Sequence, residues 1–222
     1  MQMEQDIEDL KRYLAPEAMG NVVLEYLQAI QKSPSDWRLR WKYGKLLTEG
    51  LKDYKGAAEE LRLVRQWLPH SYIVYTALGA VSRGLGDIDQ AVAQYKEAVR
   101  IKPTCIEAHY YLGWAYQKQG RIDESIEHYS KTLRLHPTHV PAYNKLVEIL
   151  FSQGKVDESI EVCRKALLFV PGSAILHCNL GIILDKQGNR SEAIKELNIA
   201  IKLDPNSPKI RKVMETILKK GN

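Results

Sequence analysis

Histidine and cysteine are the residues of this chain best suited to chemistry, and their spacing argues against a catalytic or metal site. His136 and His139 flank Pro137 in a turn, so they are not an i, i+4 helical pair that could share a metal ion. The cysteines form no CxxC motif and are odd in number, which favours reduced thiols over a disulfide framework or a zinc ribbon. They are Cys105, Cys163 and Cys178. Because no nucleophile with a neighbouring base is evident either, we predict no metal, no cofactor and no enzymatic activity.

The bulk composition is that of a soluble globular protein. Hydrophobic residues make up 45% of the 222 residues and charged residues 27%, which is enough to bury a core. No apolar run approaches the roughly 20 residues of a membrane-spanning helix. The N-terminus is acidic, with Glu4, Asp6, Glu8 and Asp9, where a secretory signal would be basic. The sequence therefore predicts a cytoplasmic protein that does not enter a membrane.

The formal net charge of +5 is concentrated in two stretches. Residues 38–67 and 188–222 each carry eight basic and four acidic side chains. This excess can attract an acidic partner, but it falls short of the dense basic stripe of a dedicated nucleic-acid-binding protein. A protein partner with acidic residues is therefore favoured over nucleic acid.

Turn-forming residues recur every 34 positions, which indicates a repeat architecture. The prolines of this series are Pro69, Pro103, Pro137, Pro171 and Pro205, and the glycines are Gly86, Gly120, Gly154 and Gly188. A polar residue follows each glycine three positions later and is expected to be a helix N-cap. These predicted caps are Asp89, Asp123, Asp157 and Ser191.

One repeat, residues 106–139, shows why the unit should be a pair of helices. Its first half carries Leu112, Gly113 and Tyr116 on one helical face and ends at Gly120. Its second half carries apolar residues at i, i+3, i+7 spacing and ends at a proline, which cannot continue a helix. Each repeat is therefore predicted to be a helical hairpin.

The residues of this unit resemble the tetratricopeptide repeat (TPR) consensus. The match comprises Leu112-Gly113-x-x-Tyr116, then Ser125 and Tyr129, and the closing Pro137. The resemblance implies an all-α, right-handed α-solenoid of about six hairpins plus a C-terminal capping helix, in a single domain over 1–222. The expected repeats are 3–36 (degenerate), 37–71, 72–105, 106–139, 140–173 and 174–207, followed by a capping helix at 208–220. The repeat 37–71 has one extra residue, which we expect in the turn between Gly50 and Gly56.

Small residues mark the points where the two helices of a hairpin should cross closely. We expect Gly79, Gly113 and Gly181 to face Ala91, Ser125 and Ala193, respectively. Gly44 marks the same point in repeat 37–71, and Val147 replaces the glycine in repeat 140–173.

The resemblance implies that the first helix of each repeat lines a concave groove, so residues on those helices that are not needed for packing become candidates for binding. On the helix that begins near residue 106, Tyr110, Trp114 and Gln117 form a stripe roughly 115° from the packing face. Transferring this stripe and its flank to the other repeats gives a candidate partner-binding set. The set is Trp41, Lys42, Lys45, Arg83, Tyr110, Tyr111, Trp114, Lys145 and Asn179. The alternative is that Trp41, Tyr110 and Trp114 simply pack between repeats.

The function that follows is a protein-interaction adaptor, whose groove binds an extended or helical segment with apolar and acidic residues. One alternative is a regulatory or targeting domain of a larger enzyme, such as a glycosyltransferase or kinase. Another is binding of single-stranded RNA by base stacking. The Lys and Asn clamp by which some TPR domains hold chaperone tails is missing. Of the asparagine ladder found in TPRs of O-linked sugar transferases, only Asn179 is recognised.

Overall fold

The computed structural model describes residues 16–219, with side chains from residue 20, and all regular structure in that range is helical. The α-helices are α1 (Pro16–Lys32), α2 (Trp37–Lys45), α3 (Tyr54–Trp67), α4 (Tyr72–Gly84), α5 (Ile88–Ile101), α6 (Ile106–Lys118), α7 (Ile122–Leu135), α8 (Val140–Ser152), α9 (Val156–Phe169), α10 (Ala174–Gln187), α11 (Arg190–Leu203) and α12 (Pro208–Lys219). A π-helical turn, Leu46–Leu51, follows α2. This confirms the predicted all-α class. The first half of the degenerate repeat 3–36 and the end of the predicted capping helix lie outside the described residues.

The helices form two compact units, Met1–Gln119 and Gly120–Asn222, called here the N-terminal and C-terminal units. In the N-terminal unit, α2 packs on α3 and α4 on α5, while α1 covers α2 and α6 packs on α5. In the C-terminal unit, α8 packs on α9 and α10 on α11, while α7 packs on α8 and α12 on both α10 and α11. These are the predicted helical hairpins. Repeat 106–139 has its first helix in one unit and its second in the other.

The periodic glycines end the first helix of each hairpin, as predicted. All four have left-handed backbones, with φ of +78° at Gly86, +74° at Gly120, +75° at Gly154 and +92° at Gly188. An L-residue with a Cβ is disfavoured in this conformation, which is why glycine recurs at the turn.

The extra residue of repeat 37–71 lies before the turn rather than within it. Lys52 is 34 residues before Gly86 and has the same left-handed backbone, with φ 58°. From Lys52 onward this repeat is therefore in register with the others. The insertion is taken up by the π-helical turn Leu46–Leu51, because a π-helix accommodates one additional residue in its hydrogen-bonded ring.

The predicted N-caps of the second helices are wrong by two positions. The structure has Asp87 at the N-cap of α5, where its side chain accepts a hydrogen bond from the backbone N–H of Gln90 at 3.0 Å. The predicted caps lie in the first helical turn instead: Asp89, Asp123, Asp157 and Ser191. Two of them bind glutamines of the following repeat. Gln119 donates to Asp89 and Gln187 to Asp157, both at 2.6 Å. A carboxylate is favourable both at the cap and in the first turn of a helix, so composition alone did not separate the two positions.

Close helix crossings occur at the glycines, but the facing residue differs from the prediction in α4. A Cβ on Gly79 would lie 2.5 Å from the Tyr95 ring, so the nearest side chain is Tyr95 rather than Ala91. At Gly181, a Cβ would lie 2.8 Å from Cγ of Leu197, the residue equivalent to Tyr95, and 3.1 Å from the carbonyl oxygen of Ala193, so Ala193 is close through its backbone while the nearest side chain is Leu197. The facing of Gly113 and Ser125 stays a prediction, because they belong to different units.

Helix α12 covers the last hairpin as a capping helix. Its apolar side chains Ile210, Met214 and Ile217 are buried in one cluster with residues of α10 and α11. Arg190 fixes its end by donating to the carbonyl oxygens of Ile217 at 2.6 Å and Leu218 at 2.8 Å. Within residues 16–219, no helix has both the length and the apolar character needed to cross a membrane.

A hydrogen bond repeats at the turn that precedes the first helix of a hairpin. The side chain six residues after the turn proline donates to that proline's carbonyl oxygen, over distances from 2.5 Å to 3.1 Å. The pairs are Arg40 with Pro34, Tyr75 with Pro69, His109 with Pro103, His177 with Pro171, and Arg211 with Pro205. The bond recurs at these turns although the donor changes from arginine to tyrosine to histidine.

Candidate functional site

The N-terminal unit contains a cavity of about 870 Å³ lined by the first helices α2, α4 and α6 and by the π-helical turn. We call it the aromatic groove. Five of the nine predicted binding residues line it: Trp41, Lys45, Arg83, Tyr111 and Trp114. The α4 wall between them is formed by Thr76, Ala77 and Ala80, whose small side chains leave the space open.

Arg83 packs against two aromatic rings of this groove. The guanidinium carbon lies 4.6 Å from the ring centroid of Tyr111 and 5.8 Å from that of Trp114, both cation–π distances. Tyr111 in turn stacks on the buried ring of Tyr95, with centroids 5.5 Å apart and an interplanar angle of 18°. Burial raises the pKa of the Tyr95 phenol, and the positive charge of Arg83 opposes this in part. The guanidinium is therefore held in place by aromatic contacts.

The charges of the groove are less uniformly positive than the sequence predicted. Lys45 forms an ion pair with Glu49 of the π-helical turn at 3.2 Å, so much of its charge is compensated. Glu107 also lines the groove. Arg83 forms no ion pair with a carboxylate within residues 16–219. Arg83 is thus a groove cation available to a carboxylate of a partner, as is Lys52 at the edge of the π-helical turn.

Two predicted residues of the N-terminal unit lie outside the aromatic groove. Lys42 borders an adjoining cavity of about 420 Å³, which shares Trp41 and Ile73 with the groove. Tyr110 is partly buried and packs edge-on against Tyr111, with centroids 5.1 Å apart and an angle of 67°. This contact joins neighbouring residues of one helix, so the choice between partner binding and packing between repeats stays a prediction for Tyr110.

The remaining two predicted residues belong to the C-terminal unit. Lys145 forms an ion pair with Glu148 at 2.7 Å. The Asn179 amide donates to the Asn144 side-chain oxygen at 3.0 Å, and both residues line a cavity of about 330 Å³ between α8 and α10. Sequence reasoning missed this asparagine pair because the two residues are separated by 35 positions, whereas the repeat was compared at 34.

The three cysteines are free thiols that are buried in the core. Cys163 is fully buried in an apolar cluster, as predicted, and burial raises its pKa to about 12. Burial also raises the pKa of Cys105 and Cys178. Thiols of this kind are weakly nucleophilic, because the reactive thiolate form is disfavoured. No group of three or more potential metal-ligating side chains occurs in the described part of the chain.

The hairpins, the turn glycines and the groove on first helices together define a helical-repeat protein, and comparison with known proteins shows which kind. Family models of the TPR repeat and the tetratricopeptide repeat match residues 79–120, 106–139, 140–169 and 174–207, which together cover more than half of the chain. This chain belongs to the tetratricopeptide repeat family. No curated protein sequence matches it.

Several solved structures share this fold. A crystal structure of MamA is 26% identical, with 74% of this chain and 95% of that chain covered and a TM-score of 0.65. A fragment of MamA from Desulfovibrio magneticus RS-1 is 17% identical, with 78% and 98% covered and a TM-score of 0.66. YrrB, described as a TPR protein with an unusual peptide-binding site, is 18% identical, with 86% and 97% covered and a TM-score of 0.64.

Proposed function

We propose that this chain is a protein-interaction adaptor whose aromatic groove binds a segment of a partner protein. The segment carries an apolar side chain next to an acidic one. The observation that carries this proposal is Arg83, which lies against Tyr111 and Trp114 and has no carboxylate partner among the described residues. Membership of the TPR family and the peptide-binding site described for YrrB support a scaffold role.

The chemistry of the groove suits such a segment. A guanidinium presents several N–H donors in one plane, so it can bind both oxygens of a carboxylate at once. Trp41, Tyr111 and Trp114 provide aromatic surface beside it, and partly buried aromatic side chains contribute much of the free energy in peptide recognition. The groove would therefore bind the carboxylate and the apolar side chain of the segment at the same time.

The decisive experiment replaces Arg83 while keeping or removing its charge. A labelled peptide with one phenylalanine flanked by glutamates is titrated with the full chain, with Arg83→Ala and with Arg83→Lys. We expect both variants to bind about 10-fold more weakly, because lysine keeps the charge but loses the bidentate geometry and the planar stacking. The matched control is Arg62→Lys, since Arg62 is an exposed residue of α3 outside the groove. Equal affinity of the wild type and both Arg83 variants would place peptide binding elsewhere.

Single-stranded RNA is the competing ligand, since Trp114 and Arg83 could also stack on a base. Glu49 and Glu107 lie on the same walls and would repel the phosphate that every nucleotide carries, whereas the proposed segment needs a single carboxylate, at Arg83. A labelled oligouridine should therefore bind no better than background at physiological salt. Tight, Arg83-dependent binding of the RNA would favour that function instead. Whether the adaptor acts alone or as a regulatory part of a larger enzyme would follow from the length of the native reading frame.

A further inference from the structure

The C-terminal unit has a second cavity with a different character, between α10 and the capping helix α12. Its volume is about 310 Å³, and its walls include Ile182, Val213 and Ile217. The lysines Lys186, Lys209 and Lys212 also line it, and we call these three the lysine rim.

The lysine rim carries more positive charge than its surroundings compensate. None of its three lysines forms an ion pair with a carboxylate within residues 16–219. Asp185 is the acidic residue on the cavity wall. Three ammonium groups around a largely apolar cavity complement a ligand that is apolar at its centre and negative at its edge.

A membrane surface does not suit α12, although the helix is basic and amphipathic. Insertion into a bilayer surface requires a free apolar face. The apolar face of α12 is already occupied, because Ile210, Met214 and Ile217 are each at most 9% exposed and pack within the unit. Arg190 also binds the last carbonyl groups of the helix, which keeps it against α11. The lysine rim therefore belongs to a fixed surface that suits a protein ligand.

A neighbouring cavity lengthens this surface. The cavity that contains the asparagine pair shares Ile182 and Lys209 with the cavity at the lysine rim, so the two adjoin. Its other walls include Phe151 and the amides of Asn144 and Asn179. Side-chain amides offer both donors and acceptors, which is what the backbone of an extended peptide needs.

We infer that the C-terminal unit holds a second peptide site, which we call the cap site, separate from the aromatic groove. Its ligand is a partner-protein segment in which an aliphatic side chain is followed by two or more carboxylates. The aliphatic side chain fills the space between Ile182 and Val213, and the carboxylates lie at the lysine rim. This inference rests on the adaptor role proposed above, but it uses none of the residues of the aromatic groove.

The test measures binding of a labelled peptide, one leucine followed by three glutamates, to the full chain by fluorescence anisotropy. The double variant Lys209→Gln/Lys212→Gln should bind at least 10-fold more weakly, and a peptide with glutamines in place of the glutamates should bind equally weakly to both proteins. The control Lys195→Gln/Lys202→Gln changes the net charge by the same amount on exposed positions of α11 and should bind like the wild type. Circular dichroism melts check that both double variants are folded.

The same titrations are repeated in an Arg83→Ala background, which separates the two proposals. A loss that persists in this background supports the cap site. If Arg83→Ala alone abolishes binding and the lysine double variant does not weaken it in the wild-type background, the peptide binds only in the aromatic groove, and the cap site is refuted while the adaptor proposal stands. Equal losses in both lysine double variants would mean general charge attraction and would also refute it. The cap site would also be refuted if the chain bound phosphatidylserine vesicles through the lysine rim but did not bind the peptide.

Discussion

The ring of Tyr95 in α5 occupies the space that a side chain at Gly79 in α4 would need, since a Cβ on the glycine would lie 2.5 Å from Cε1 of the tyrosine. The equivalent residues of the C-terminal unit, 68 positions later, are Val147 and Cys163, which belong to one buried cluster. A larger residue on the first helix is thus matched by a smaller one on the second. This exchange accounts for both the missing glycine at Val147 and the buried cysteine.

The exchange predicts that two destabilising substitutions in the N-terminal unit partly compensate for each other when they are combined. Gly79→Val should destabilise by about 1–3 kcal/mol through overpacking, and Tyr95→Cys by about 3–5 kcal/mol through the cavity it leaves. The double variant should lose at least about 1 kcal/mol less than the sum of the two, because valine then enters the space left by the ring. Urea unfolding of the four proteins gives this coupling energy. Strictly additive losses would show that the two positions do not share one space.

The left-handed backbone at Gly86 and Lys52 predicts that substitutions at these two positions have opposite effects on stability. A Cβ on Gly86 would meet no atom within 4 Å, so Gly86→Ala tests backbone strain alone and should cost about 1–2 kcal/mol. Lys52→Gly relieves the same strain and should be neutral to stabilising by up to about 1 kcal/mol. Thermal melts compare both variants with the wild type. A stabilising Gly86→Ala would contradict the strain argument.

The repeat was readable from sequence because its signals are local and periodic. Proline and glycine act on their own backbone, so Pro137 and Gly120 mark helix ends without any knowledge of the neighbours. Charge pairing within one helix was also readable but was overlooked. Lys45 looked like a free groove cation, yet Glu49 is its i, i+4 neighbour on the helix and lies within 3.2 Å of it. The asparagine pair was not readable, since contacts across repeats need not follow the repeat length.

Removal of the capping helix should destabilise the C-terminal unit. A chain that ends before Pro208 exposes the buried side chain of Leu197 together with Ala200 and Cys178, which pack against α12. We expect a lower melting temperature and association into soluble or insoluble oligomers, because terminal repeats need a polar outer face. Light scattering and calorimetry measure both. A monomeric truncation with an unchanged melting temperature would show that α12 is dispensable.

Replacement of Trp114 should weaken peptide binding while the protein stays folded. Its ring lies against Arg83 in the aromatic groove and is only partly buried. Trp114→Ala should weaken binding of the acidic phenylalanine peptide by about 2 kcal/mol, mainly through faster dissociation, with most of the stability retained. Surface plasmon resonance and a melting curve on the same sample give both quantities. Unfolding of the variant would instead assign the ring to packing between repeats.

The buried thiol of Cys163 makes the free energy of unfolding depend on pH in the alkaline range. Burial raises the pKa of its thiol from the ordinary 9.0 to about 12, so above pH 9 the unfolded chain loses this proton while the folded chain keeps it. The free energy of unfolding therefore falls as the pH rises from about 9 towards 12, by about 1 kcal/mol at pH 10. Cys163→Ala should show a smaller decrease between pH 8 and pH 10. An identical decrease in both proteins would rule out this contribution.

The hydrogen bond from Tyr75 to the carbonyl of Pro69 has a consequence for how such chains can lengthen and shorten. Donor and acceptor lie in consecutive repeats, since Pro69 is near the end of 37–71 and Tyr75 near the start of 72–105. A copied 34-residue repeat carries a donor near its start and a proline near its end, so each new junction again places a donor six residues after a proline. Any side chain that reaches the carbonyl with a donor will serve, as Arg40 and His177 do. The residue at this position is thus free to change after duplication among side chains that can donate a hydrogen bond to the carbonyl.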